Sequence, residues 1–111
     1  MNAEELKLKL KEIFGEQIIF NKEFDYYAEA IKNIDNNLLE WCGFLKDDSS
    51  RSLRPPNLLG HRVFIKKIGS TNRCIVIKII NGEFKEIHLA DHSYYDKKMQ
   101  ELGLKKSSKR Y

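Results

Sequence analysis

"HLADHSYYDKK", residues 88–98, brings two histidines, two tyrosines, two aspartates and two lysines to the point where a β-like run gives way to a helix-like one. An imidazole with an ordinary pKa of about 6.5 can take and return a proton near neutrality. A guanidinium grips a phosphate through its planar fork. His92 falls just past the last β-like run, Arg73 opens the neighbouring run, and Arg62 and Lys66 lie on the one before. His92, Arg73 and either Arg62 or Lys66 could converge on one phosphate. Each also has a plainer reading. His92 could be an idle, exposed first-turn residue, and Arg73 could pair with a helix carboxylate. Tyr94 and Tyr95 are adjacent, so at helical spacing one should face the core and the other solvent. His61, after Gly60, is a candidate second base. Lys66 and Lys67 alternate sides, so one of them faces the groove, and the sequence does not say which.

His88, Asp91 and His92 also suggest a metal site, but the strand-to-helix break separates the two imidazoles. Further Cys or His partners at ligand spacing are missing, so neither a metal nor another cofactor is expected. The chain contains no G-x-S-x-G and no P-loop. Cys42 and Cys74 stand far apart outside any C-x-x-C and read as free thiols.

Charge is segregated along the chain. Residues 1–48 hold six lysines against eleven acids. Residues 49–82 hold Arg51, Arg54, Arg62, Lys66, Lys67, Arg73 and Lys78 without one acid. Such a stretch suits a polyanion, either a nucleic acid or an acidic protein, unless it pairs with the acidic first half. Lys66, Lys67, Arg73 and Lys78 sit among apolar neighbours, where a lone buried charge is costly. They must reach the sheet rim, pair, or line an open groove.

The elements that would hold these groups follow from periodicity. At 111 residues one domain is expected, spanning 1–111. Leu6, Leu10, Ile13 and Phe14 form one helical stripe over 3–14, closed by Gly15. "EQIIF" is a short strand. Asn21 could cap a second helix with Phe24, Tyr27, Ala28, Ile31 and Ile34 on one face. "DNN" at 35–37 breaks it, and Leu38, Trp41, Cys42 and Leu45 mark a third helix. Residues 47–58 carry loop chemistry and are the expected flexible segment. "HRVFIKKI", "RCIVIKII" and "EFKEIHLA" then form a meander whose second turn is Asn81-Gly82. A last helix runs from 92 to 102, with Asp91 as its cap and Gly103 as its stop, before a basic tail at 104–111. The fold class is α+β: a small antiparallel sheet, a short N-terminal strand plus the meander, covered by helices on one face, with a C-terminal helix. Because residues 75–80 are apolar on both sides, something must also shield the second face. No apolar run nears a membrane span and the start is too polar for a signal peptide, so the expected compartment is the cytoplasm.

From residue 16 to 102 this order, strand–helix–helix–meander, resembles the RelE/ParE superfamily, the toxins of type II toxin–antitoxin pairs. "LLGHRVFIKKI", "NRCIVIKII" and "NGEFKEIHLADHSYYD" carry the likeness, the last being similar to a G-x-H-x-x-Y-D exit. The helix at 1–15 is an addition, and the arginine-rich exit of most members is missing. The resemblance implies a cognate antitoxin as partner and one of two activities. One is metal-independent cleavage of mRNA, on the ribosome or off it. There the ribose 2′-OH attacks the adjacent phosphate, and acid–base groups and cations assist. The other is non-catalytic, as in gyrase-directed toxins or inactive relatives. By resemblance His92 matches the catalytic histidine, Arg73 the strand arginine and Tyr95 the stacking aromatic, with Tyr94 second in line. Arg62, Lys66, Lys67, His61 and Lys78 would bind substrate. A small basic nucleic-acid-binding accessory protein is the remaining alternative, on charge alone.

Overall fold

The structure is a computed structural model and describes residues 2–31, 34, 36–47 and 50–104. Helix α1 (Ala3–Phe14) begins at a reciprocal cap, in which Asn2 Oδ1 accepts from the Glu5 N–H at 2.8 Å and Glu5 Oε1 accepts from the Asn2 N–H at 3.2 Å. It buries Ala3, Leu6, Leu10 and Phe14 and ends at Gly15, whose φ of 107° admits no side chain easily. Strand β1 (Ile19–Phe20) follows, then α2 (Phe24–Ala30) and α3 (Asn36–Phe44), with Phe24, Tyr27, Ala28, Leu38 and Cys42 turned inward. Strands β2 (His61–Ile68), β3 (Asn72–Ile79) and β4 (Phe84–Ala90) form the meander, and α4 (His92–Leu102) closes the series. Asn81 takes φ 59° in the β3–β4 turn, as the Asn-Gly pair requires.

The sheet order is β1-β4-β3-β2. The α+β class is as expected, but the sheet is mixed, not antiparallel, because β1 runs parallel to β4. A side chain fixes that pairing. Asn21 Oδ1 accepts from the Leu89 N–H and its Nδ2 donates to the Leu89 carbonyl, both at 3.0 Å. Asn21 thus lengthens a two-residue strand by standing in for backbone, and it does not cap α2. The N-cap of α2 is Glu23, with no side-chain bond to the helix.

Both sheet faces are covered. Helices α1, α2 and α3 pack on Phe64, Ile68, Cys74, Val76, Ile87 and Leu89. On the opposite face α4 lays Tyr95, Met99 and Leu102 over Val63, Ile75, Ile77 and Ala90. Leu53 and Leu58 complete this second core from the loop before β2. Leu53 forms a two-way backbone bridge with Val63, both bonds at 2.9 Å, and the Asn57 side chain donates to the Glu101 carbonyl at 3.0 Å. Leu104 rests on the same core; the rest of the basic tail, 105–111, lies outside the described residues. No helix among the described residues is long and apolar enough to cross a membrane.

Candidate functional site

Strand register sorts the candidate cations onto two faces. Lys67 pairs with Arg73 and Arg73 with Ala90, giving one row across the end of the sheet on the α4 side. Arg73 is only 6% exposed. Its guanidinium lies over the Tyr95 ring, 5.4 Å from the centroid, and Nη1 donates to the Asn72 carbonyl at 2.9 Å. Among the described residues Nε has no hydrogen-bond partner and no carboxylate forms an ion pair with this guanidinium. Burying a cation without a counter-charge is costly, and the aromatic face returns only part of that cost.

Ala90 leads through Asp91 into α4. Asp91 Oδ1 accepts from the Tyr94 N–H at 2.9 Å, which is the expected cap. His92 is exposed, and its Nδ1 lies 3.1 Å from Asp96 Oδ2 one turn on. That carboxylate steadies a ring whose side chain is largely exposed and engages Nδ1, so that Nε2 is the nitrogen left for acid–base work.

Several expected members are elsewhere. Tyr95 is wholly buried, so it supports Arg73 from beneath and cannot stack on a base. Arg62 pairs with Lys78 and Lys66 with Cys74, which sets these three on the face of α1–α3, opposite Arg73. The expected convergence of Arg73 with Arg62 or Lys66 is therefore corrected by the two-residue period of the strand. Lys67 is the member of its pair that shares a face with Arg73. Lys78 is buried, with its ammonium 5.5 Å from the Phe84 centroid and bonded to the Ile79 carbonyl at 3.2 Å. Its place on the face opposite Arg73, rather than its burial, separates it from the row of Lys67 and Arg73. His61 is six positions from Lys67, roughly 20 Å along a strand. Its Nδ1 meets the Leu59 carbonyl at 2.9 Å, so it cannot serve the same phosphate.

One constellation was not singled out from the sequence. His88 is 5% exposed, with Nε2 2.7 Å from Glu86 Oε1 and Nδ1 2.7 Å from the Tyr94 hydroxyl. The hydrogen bond from His88 holds the Glu86 carboxyl below its ordinary range, against the opposing effect of burial. Burial pushes the Tyr94 phenol up. Tyr94 is half-buried, with its hydroxyl engaged by His88. Glu86 and His88 alternate on one strand face, and that two-residue spacing was the signal that could have found them. The chain Glu86–His88–Tyr94 joins α4 to β4. It also takes both His88 nitrogens away from His92, so the two imidazoles do not share a ligand site.

No protein-family model, curated protein or solved structure matches this chain.

Proposed function

We propose that this chain is a toxin of a type II toxin–antitoxin pair, similar to the RelE/ParE superfamily, that cleaves mRNA in the cytoplasm, on the ribosome or off it. The observation that carries the reading is Arg73, a buried guanidinium with no carboxylate in ion-pair contact among the described residues, in register with Lys67 and beside the helix start that bears His92. A phosphate is the counter-charge that such a cation lacks. The element order of the chain and its acid-free stretch at 49–82 support the same view.

In this reading Lys67 and Arg73 neutralise the scissile phosphate. His92 Nε2 takes the 2′-OH proton as the O2′–P bond forms and the P–O5′ bond breaks. The leaving oxygen recovers a proton from the imidazolium or from water. Asp96 orients His92, and an acidic antitoxin segment would cover the same cations.

A second reading has its own observation. At 6% exposure Arg73 offers little surface to a substrate. That favours a non-catalytic member of the same fold, gyrase-directed or inactive, that binds without cutting. A purified-protein RNA cleavage time course separates the two. His92→Ala is expected to slow cleavage roughly 10²–10⁴-fold with folding unchanged. Cleavage at the wild-type rate by that variant would remove the nuclease assignment. Growth arrest with intact mRNA and double-strand DNA breaks would select the second reading. Salt-steep nucleic-acid binding without growth arrest would instead mark an accessory protein.

A further inference from the structure

The cations that strand alternation removes from the α4 face remain to be accounted for. β2 is the last strand of the sheet, and the segment that flanks it, 51–54, meets it at the Leu53–Val63 backbone bridge and at Ser52 Oγ, which accepts from Arg62 Nε at 2.8 Å. This rim bears Arg51, Arg54, Arg62, Lys66 and Lys67 and no acid from 50 to 68. Arg51, Arg54 and Lys67 are exposed, and Arg62 and Lys66 are half-buried. Lys67 leans to the Arg73 side. Lys66 leans to the other, near enough to Cys42 on α3 to act on that thiol electrostatically.

On this second side stands an aromatic that the fold does not use. Phe44, at the end of α3, is 68% exposed. Its carbonyl accepts from Ser50 Oγ at 2.9 Å, and the Ser50 carbonyl accepts from Arg62 Nη2 at 3.0 Å. These side-chain-to-backbone bonds tie the Phe44 end of α3 to Arg62 on the rim, on the same strand face as Lys66. An exposed aromatic next to a cationic edge is the pairing that holds an unpaired nucleic-acid strand: cations follow the backbone while a base stacks on the ring. An extended acidic peptide adding to β2 would find the outward backbone groups of Ile65 and Lys67 but not those of Val63, which Leu53 already takes, and it would leave Phe44 unused.

We infer that single-stranded RNA crosses the β2 edge, running from Lys67 and Arg73 on one face over the rim to Lys66 and Phe44 on the other, where one base stacks on Phe44. The inference rests on the RNA-directed reading above and deepens it by fixing where the strand lies beyond the scissile phosphate.

The test is fluorescence anisotropy of a labelled 20-nucleotide oligo-U on the full chain across a salt series, beside cleavage of the same RNA. Phe44→Ala is expected to weaken binding roughly 5- to 100-fold, with Phe44→Trp restoring it. Lys66→Gln and Lys67→Gln should each lower the log–log salt slope by about 0.7. Unchanged circular dichroism in each variant would exclude misfolding. If Lys67→Gln weakens binding while Lys66→Gln and Phe44→Ala do not, the crossing is overturned and the RNA-directed reading stands. If the variants behave as expected but the wild type never cleaves, the crossing stands and the nuclease reading falls. Binding of poly-glutamate without binding of RNA would overturn both.

Discussion

Arg73 and Tyr95 are stacked, guanidinium over ring at 5.4 Å, and each explains the burial of the other. The ring supplies a negative face to a cation that has left water, and the cation caps a ring that roofs Ile75 and Ala90. The pair is a compromise between stability and charge.

That compromise has a measurable sign. Arg73→Met keeps the stem and removes the buried charge. Losing the cation–π contact costs about 0.5–2 kcal/mol, while relieving an uncompensated charge returns more. The variant is expected to gain about 1 kcal/mol in denaturant titration and to lose RNA affinity. A destabilised variant with unchanged affinity would mean that Arg73 serves only the core.

Glu86 sets a pH dependence. Its folded-state pKa is depressed, first by the hydrogen bond from His88, so its stabilisation is complete above the unfolded value of 4.5 and is lost as pH falls through the folded value. Glu86→Gln should cost about 1 kcal/mol at pH 7 after allowance for solvent screening, and the deficit should shrink in acid. Urea titrations of both proteins from pH 7 to pH 3 read this directly. A constant deficit across that range would exclude Glu86 as the source.

Asn21 is the third test. Asn21→Leu is close in size but leaves the Leu89 N–H and carbonyl without their partners. Two buried unsatisfied groups predict a loss of about 3 kcal/mol. Amide exchange should also quicken at Asn21, whose N–H donates to the Ile87 carbonyl at 3.3 Å beside β1. A loss below about 0.5 kcal/mol would show that β1 docks without this side chain.

Periodicity carried most of the architecture. The stripe of α1, the eight residues of β2, the Asn-Gly turn and the span of α4 are all legible because local patterns and caps dictate them. The free thiols were legible as well: Cys42 is pushed up to about 12 by burial, and Cys74 is also raised. The parallel pairing of β1 was not legible, since it depends on a contact between Asn21 and Leu89 that no local pattern encodes. Of the candidate site, Arg73 at the start of β3 and His92 at the α4 start could be read from the order of residues, whereas the choice of Lys67 over Lys66 as Arg73's neighbour needed the strand register. The depth of Tyr95, Tyr94 and Lys78 could not, because it is decided by where α4 and Phe84 pack. Likewise the partnership of Glu86 with His88 needed the strand face on which α4 closes.

The bridge between Leu53 and Val63 stops short, and among the described residues no strand neighbours the backbone of Ile65 and Lys67 on the outer side of β2. An uncovered edge of this kind invites copies of a protein to stack into fibrils, and like charges at the edge are what hold them apart. The same lysines that would meet a polyanion therefore keep the molecules dispersed. Neutralising Lys66 and Lys67 together would make concentrated stocks prone to ordered aggregation, so colloidal behaviour and ligand binding are governed by one short stretch of chain.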